Sequence, residues 1–383
     1  MLHLRLCASH GFGTPSFRHV GGAMKIAQIA PLYESVPPRL YGGTERIVAH
    51  LTDALVELGH EVTLFASAEA RTKAHLVPVR DQAIRLDPAP LKSDLAAHLA
   101  QLHKVRARRH EFDILHFHID LLHFPIFTDH APRTVTTLHG RLDCKDLPAA
   151  YACWPQYPLV SISDAQRTPL PQAHWCATIH HGLGLDRSSF SPEPAAEPYL
   201  AFLGRISPEK RPDRAIALAK RAGLRLKIAA KVDMVDRPYF REQIEPLLDH
   251  PLIEFLGEIG DEDKPAFLGQ ARALLFPIDW PEPFGLVMIE AMACGTPVIA
   301  WRRGSVAEVV EDGVSGFIVE DEAGALTAIR QIGRLDRRQV RATFERRFAA
   351  EVMARNYLQL YWRLYRGIEA APPEAAPDLG RSA

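Results

Sequence analysis

The chain's 383 residues exceed what one hydrophobic core usually serves, so two domains are the expectation. With 47% hydrophobic and 24% charged residues the composition is that of a globular protein, which excludes a mainly disordered or fibrous chain. A formal net charge of -1, with basic residues spread along the sequence, gives no electrostatic case for nucleic acid as a partner.

Taken in chain order, residues 1–23 lack the sustained apolar core, about 7–15 residues long, of a secretory signal. They read as a disordered extension, with translation starting at Met24, where the first convincing strand begins. Short runs rich in Val, Ile and Leu mark strands at 25–30, 61–66, 114–118, 134–138 and 159–163. Helices are expected at 45–58 and 93–109. In the first of these Ile47, Val48, Leu51, Leu55 and Leu58 fall at helical spacing, and Gly59 follows as a stop. Residues 190–198, with Pro192, Pro194 and Pro198 and little apolar content, read as a linker. The pattern then restarts with strands at 199–203, 226–230, 253–256, 273–276, 297–300 and 316–319. Residues 351–365 carry an apolar helical stripe that includes Met353, Tyr357, Leu358 and Tyr361. Residues 370–383, rich in Ala and Pro, read as a floppy tail.

This alternation implies an α/β protein with two parallel sheets, each covered by helices on both faces. The domains are drawn at 24–190 and 191–350, with a helix at 351–367 and a disordered tail at 368–383. A ligand is expected between the domains, at the carboxyl ends of the strands.

The most specific signal runs from Pro281 to Ala300. A strand ends near Phe276, a loop carries Glu282, a helix opens around Phe284 and Gly285, and Gly295 stops it. A helix N-terminus leaves unpaired N–H groups and a partial positive charge, suited to an anionic phosphate. Glu290 lies about one and a half turns further on. Two ionised carboxylates accept hydrogen bonds from sugar hydroxyls. Either acid alone could simply complement the helix dipole, but the pair in this Pro/Gly setting is better explained by a ligand.

A second signal is Gly204-Arg205-Ile206-Ser207-Pro208-Glu209-Lys210-Arg211, directly after the first strand of the second domain. Arg205 and Lys210 bracket the turn and can neutralise a diphosphate as charge develops on it. The commoner fate of such residues is a solvated basic turn; the expected position at the cleft favours function. A third is Arg39-Leu40-Tyr41-Gly42-Gly43-Thr44-Glu45. Gly42 and Gly43 permit close approach to a phosphate or an acceptor, and a tight turn with Thr44 as helix N-cap weighs equally. The fourth is His139, in Thr137-Leu138-His139-Gly140 at a strand end, where an imidazole can bond a sugar hydroxyl. Among 18 histidines, His116, His118, His123, His130, His180 and His181 read as structural.

Cys7, Cys144, Cys153, Cys176 and Cys294 include no CxxC pair. That argues against a disulfide framework and a structural zinc, and fits a cytoplasmic location. Asp261-Glu262-Asp263 precedes a predicted helix and reads as an N-terminal cap. Neither a metal site nor a cofactor is expected. Gly11-Phe12-Gly13-Thr14-Pro15-Ser16 follows no strand and lacks the third glycine of a dinucleotide fingerprint, which excludes a nicotinamide-dependent oxidoreductase.

Together these four signals resemble the retaining glycosyltransferases of family 4, which have the GT-B fold of two facing Rossmann-like domains. The resemblance runs from Met24 to about Gly367, and its most specific part is the pair Glu282 and Glu290. The stretch from Ile29-Ala30-Pro31 through Gly42-Gly43-Thr44-Glu45 looks closest to the avilamycin-type and UDP-glucose-dependent branch. The family implies that Arg205 and Lys210 hold the donor diphosphate, making a metal unnecessary. Glu282 would contact the transferred hexose, with the amides of Phe284, Gly285 and Leu286 nearby. Glu290 would bind the ribose, the base would sit near Gly257-Glu258-Ile259, His139 would contact the sugar, and Gly43 would lie near phosphates and acceptor. The C-terminal helix would cross back onto the first domain. At His180-His181-Gly182-Leu183 the chain departs from the family's usual Asn-Gly-Asp-like run.

The implied partners are a nucleotide diphosphate sugar, UDP-glucose foremost, and an acceptor that the sequence leaves open as small molecule, lipid or polysaccharide. The helix carrying Lys104, Arg106, Arg108 and Arg109 could give weak peripheral membrane contact, against the plainer reading of a solvated face. Two rival functions stand: a sugar-nucleotide epimerase or hydrolase, and a non-catalytic sugar-nucleotide-binding protein.

Overall fold

The computed structural model describes residues 22–39, 42–184 and 189–367. Most of the expected N-terminal extension, the C-terminal tail, and Leu40 and Tyr41 of the glycine turn lie outside the described residues.

Two all-parallel sheets form the frame, as apolar strands linked through helices require. The first runs in the order β3-β2-β1-β4-β5-β6-β7, with β1 (Lys25–Ile29), β2 (Glu61–Ser67), β3 (His75–Arg80), β4 (Ile114–Phe117), β5 (Thr134–Thr137), β6 (Leu159–Ser161) and β7 (Trp175–Thr178). The second runs β10-β9-β8-β11-β12-β13, with β8 (Tyr199–Arg205), β9 (Arg225–Lys231), β10 (Ile253–Gly257), β11 (Ala273–Phe276), β12 (Val298–Trp301) and β13 (Gly316–Val319). Each sheet reverses its winding once, between β1 and β4 and between β8 and β11. Strand ends at such a reversal leave a crevice, and the two crevices face each other. This is the GT-B arrangement.

Two strands escape the sequence pattern, β3 and β7. Both lie at sheet edges. In β3 every residue is at least partly exposed and Pro78 interrupts the run, a residue tolerated in strands mainly at edges.

The first helix, Gly43–Glu57, starts earlier than its apolar spacing suggests. The carbonyl of Gly42 accepts the first helical bond, from the N–H of Arg46 at 3.2 Å. Thr44 is therefore inside the helix and is not its cap; Gly42 is, with no side-chain cap bond. The acidic run Asp261-Glu262-Asp263 does open the helix Lys264–Gly269: Asp263 is its N-cap and its carbonyl accepts from the N–H of Phe267 at 3.0 Å, without a side-chain capping bond, while Asp261 pairs with Arg46 and Lys264.

The last helix, Ala350–Tyr365, returns to the first lobe. Its Met353, Tyr357, Leu358 and Tyr361 join Ile47, Leu51 and Leu55 of the first helix in one buried cluster that also takes in Phe284 and Met288 of the second lobe. The chain thus passes between lobes twice, and the passages touch. Leu183 donates to the carbonyl of Phe348 at 2.9 Å and accepts from the N–H of Ala350 at 2.8 Å.

Candidate active site

A cavity of about 350 Å³ occupies the crevice between the lobes. From the first lobe it is lined by Gly42, Gly43 and His139, and from the second by Arg205, Lys210, Ile259, Glu282, Phe284, Gly285, Leu286 and Glu290. Every residue singled out from the sequence as a site residue therefore meets in this one place.

The second lobe's contribution follows from two strand ends. β8 ends at Arg205, and the turn beyond it lifts Lys210 toward the loop after β11. There the Lys210 ammonium donates to Glu282 Oε2, which also accepts from the indole N–H of Trp280 at 3.0 Å. Both partners are largely buried, their side chains 15% and 10% exposed. Arg205 binds acids of its own lobe, Glu209 at 3.0 Å and Asp233 at 3.6 Å.

The Glu282 loop is held from behind. Its carbonyl accepts from the N–H of Ser305 at 3.0 Å, and the Ser305 hydroxyl donates to the carbonyl of Phe284 at 2.9 Å. Gly304 presses against it so closely that a Cβ there would lie 2.4 Å from the Glu282 nitrogen and oxygen. Gly285, with φ 80°, then turns the chain into the helix Leu286–Ala293. No side chain caps that helix, and Gly285, Leu286 and Val287 at its start line the cavity, a place suited to an anion.

Glu290, on the same helix, has a partner that the sequence pattern does not reveal. It accepts from Arg46, a residue of the first helix in the opposite lobe, and from Lys264 at 3.2 Å. Burial alone would raise its carboxyl, but Lys264 and Arg46 outweigh it and hold the group below the usual carboxylate range.

His139 follows β5. The buried amide of Gln166 donates to the carbonyls of Leu138 and Gly140, both at 2.8 Å, pinning the backbone on either side of the ring. Burial pushes the His139 imidazole down to about 3, so it is neutral at ordinary pH. His181, which reads as structural by sequence, stacks on it with ring centres 5.1 Å apart and also lines the cavity. Sequence reasoning likewise passed over Arg46, Lys264 and Trp280, all in the cavity wall; each lies one residue outside a stretch that the sequence marks, beside Glu45, Asp263 and Pro281.

The lobes are tied at further points near the cleft. Ser163 donates to the carbonyl of Pro283 at 2.6 Å. Glu308 accepts from the N–H groups of Asp164 and Ala165 at 2.7 and 2.8 Å. Among the described residues no cluster of three or more His, Cys, Asp or Glu is placed to hold a metal ion. Among the described residues Cys144, Cys153, Cys176 and Cys294 form no disulfide. No described helix is long and apolar enough to cross a membrane. On the helix Asp94–Arg108 and the residue after it, Arg106, Arg108 and Arg109 pair with the acids Asp129 and Glu111, and Lys104 donates to backbone carbonyls of β3.

The arrangement offers cations and a helix N-terminus on one side, carboxylates beside them, and a neutral imidazole opposite. That set can seat a diphosphate and the hydroxyls of a sugar attached to it. Comparison with known proteins agrees. The model of the glycosyl transferases group 1 family matches residues 187–341. That of glycosyltransferase family 4 matches residues 41–221. The phosphatidyl-myo-inositol mannosyltransferase of Mycolicibacterium smegmatis is 27% identical over 361 residues, covering 86% of this chain and 89% of that protein. The D-inositol 3-phosphate glycosyltransferase of the same organism is 28% identical over 337 residues, covering 73% and 75%. Among solved structures, AviGT4, a glycosyltransferase involved in avilamycin A biosynthesis, superposes with a TM-score of 0.67 at 26% identity, covering 90% of this chain and 98% of that one.

Proposed function

We propose that this chain, with its two-lobed GT-B fold, is a glycosyltransferase that moves a hexose, with retention of anomeric configuration, from a nucleotide diphosphate sugar to an acceptor hydroxyl. UDP-glucose is the first donor to test, because the stretch from Ile29 to Glu45 resembles the avilamycin-type and UDP-glucose-dependent branch. The observation that carries the reading is the contact of Lys210 with Glu282 inside a cavity that Arg205 and Glu290 also line.

In this reading Arg205, Lys210 and the N–H groups that open the helix Leu286–Ala293 take the diphosphate, in place of a divalent cation. Glu282 takes sugar hydroxyls and Glu290 the ribose, with the base beside Glu258 and Ile259. Glycosidases that retain configuration set two carboxylates about the bond, one of them the nucleophile. Here Glu282 is bound to Lys210 and Trp280, which suits it to holding a hydroxyl better than to attacking the anomeric carbon. The acceptor oxygen then attacks from the face the diphosphate leaves. The bond from the anomeric carbon to phosphate breaks, the bond to the acceptor forms, and the acceptor's proton passes to the departing phosphate oxygen.

Gly42, Gly43, Thr44, His139 and Gly140 line both this cavity and a second cleft, about 390 Å³, that runs into the first lobe. The acceptor enters there. We place the enzyme in the cytoplasm, with any membrane contact weak, peripheral and made through the helix that carries Lys104, Arg106 and Arg108.

Calorimetric titration with UDP-, GDP-, ADP- and dTDP-sugars tests the donor, and an acceptor search with the best donor follows. Binding of none of them would end the reading. Release of free sugar or an epimer without acceptor would favour a hydrolase or epimerase, and trapping a covalent glycosyl-enzyme would overturn same-face attack.

A further inference from the structure

Behind His139 the wall of the cavity continues as a line of hydrogen bonds through the first lobe to the returning helix. The Gln28 amide N–H donates to the Tyr361 hydroxyl at 3.3 Å. Its carbonyl oxygen lies 2.8 Å from His118 Nε2, and His118 Nδ1 lies 2.9 Å from His139 Nε2. A branch runs on from Tyr361 to His116 Nδ1 at 2.7 Å, from His116 Nε2 to the Thr137 hydroxyl at 2.7 Å, and from there to the Tyr357 hydroxyl at 2.8 Å. Gln28, His116, His118, Thr137, Tyr357 and Tyr361 are all buried. Burying a tyrosine hydroxyl is costly unless it is bonded, so tyrosine rather than phenylalanine at 357 and 361 calls for a reason.

The direction of the line follows from counting protons. A neutral imidazole has one N–H and one lone pair. Gln28 turns its N–H toward Tyr361 and its carbonyl toward His118, so His118 must donate from Nε2. Its Nδ1 is then a lone pair, which only an N–H on His139 Nε2 can meet. His139 Nδ1 is left as a lone pair, buried and without a partner in the protein.

We propose that Tyr361, Gln28 and His118 are positioning residues that lock His139 as the Nε2–H tautomer, so that its Nδ1 accepts a hydrogen bond from a substrate hydroxyl and turns away groups offering only lone pairs. The proposal rests on the sugar-transfer reading and deepens it: the contact at His139 is with a hydroxyl, not with a phosphate or carboxylate oxygen. It also ties the returning helix to selectivity, since the line begins at that helix's Tyr361.

The test is two-bond proton–nitrogen NMR of histidine-labelled enzyme, with His139 assigned by its disappearance in His139→Asn. In the ligand-free wild type Nε2 is expected to be protonated and Nδ1 bare. A proton on Nδ1 would overturn the proposal; it is the signature of the same line reversed, with the Gln28 amide turned. The wild-type spectrum decides this whether or not any variant folds. In Tyr361→Phe, which keeps the ring, the two tautomers are expected to mix; an unmixed Nε2–H form would remove Tyr361 from the lock. The second arm compares the donor with its deoxy analogues. Wild type is expected to lose about tenfold in kcat/KM when one particular hydroxyl is replaced by hydrogen, and Tyr361→Phe to lose most of that discrimination. Equal turnover of all deoxy donors would overturn the hydroxyl contact. A protein with the locked tautomer that bound no sugar nucleotide would sink the sugar-transfer reading and leave the lock standing.

Discussion

Arg46 and Glu290 face each other across the crevice, one on each lobe, and the guanidinium donates to the carboxylate. Both side chains are nearly buried, at 9% and 10% exposure. Asp261 and Lys264 complete a group of two cations and two anions. A buried ion pair is a poor source of net stability, but removing one member strands the other. Glu290→Met is therefore expected to destabilise the protein by about 3 kcal/mol, while Arg46→Met with Glu290→Met costs clearly less than the sum of the two single changes. Denaturant unfolding of the four proteins of this cycle measures both; an additive result would deny the coupling.

Lys210→Ala is expected to lower kcat by roughly 10²–10³-fold, and Arg205→Ala to act in the same direction, because each removes positive charge where the leaving group gathers negative charge. Excess EDTA in the same assay is expected to leave wild-type turnover unchanged. Lost turnover that added magnesium or manganese restores would show that these two residues do not suffice.

Gly304→Ala tests the loop without touching any charged group. Its φ of 52° and the 2.4 Å approach of a Cβ to the Glu282 backbone leave no room for a side chain. The loop must move, and misplacement on that scale is expected to cost on the order of 10²-fold in kcat. Normal kcat in a folded Gly304→Ala enzyme would show that the position of Glu282 is unimportant.

Acid stability should follow the buried histidines. Burial holds His139 at about 3, and burial with the nearby Arg46 charge holds His50 at about 4. Burial also keeps His116, His118, His123 and His181 well below their ordinary value. An unfolded histidine titrates near about 6.5, so below that pH the unfolded chain binds protons that the folded chain refuses. The stability these groups contribute is complete above about 6.5 and is lost as pH falls toward the folded values, at about 1.4 kcal/mol per pH unit for each histidine. Unfolding midpoints should therefore fall steadily between about pH 6.5 and pH 4.5; a flat profile there would contradict neutral burial.

Much of this site can be read in the sequence because its chemistry is local. Arg205 ends a strand and Lys210 follows it within one short turn, and Glu282, Gly285 and Glu290 share one loop and helix. Arg46 could not be read so. Its partners Glu290 and Asp261 are 244 and 215 residues away along the chain, and nothing on the first helix distinguishes it from a solvated arginine. His181 was hidden by number: among so many histidines, only the fold tells which ring stacks on His139. The misplaced cap at Thr44 has a physical origin too, since hydroxyl and glycine signals compete in Gly42-Gly43-Thr44 and the glycine backbone starts the helix first.

The touching passages of the chain at Leu183 and Ala349 restrict how the enzyme can breathe. Two covalent links at one spot act as a single swivel: rotation strains neither, whereas sliding one lobe past the other would pull the pair apart. His181 lies two residues from that swivel, so a rotation about it displaces this ring less than groups farther out along the crevice. Arg46 and Glu290 span the gap, so any widening of the crevice there has to part their ion pair.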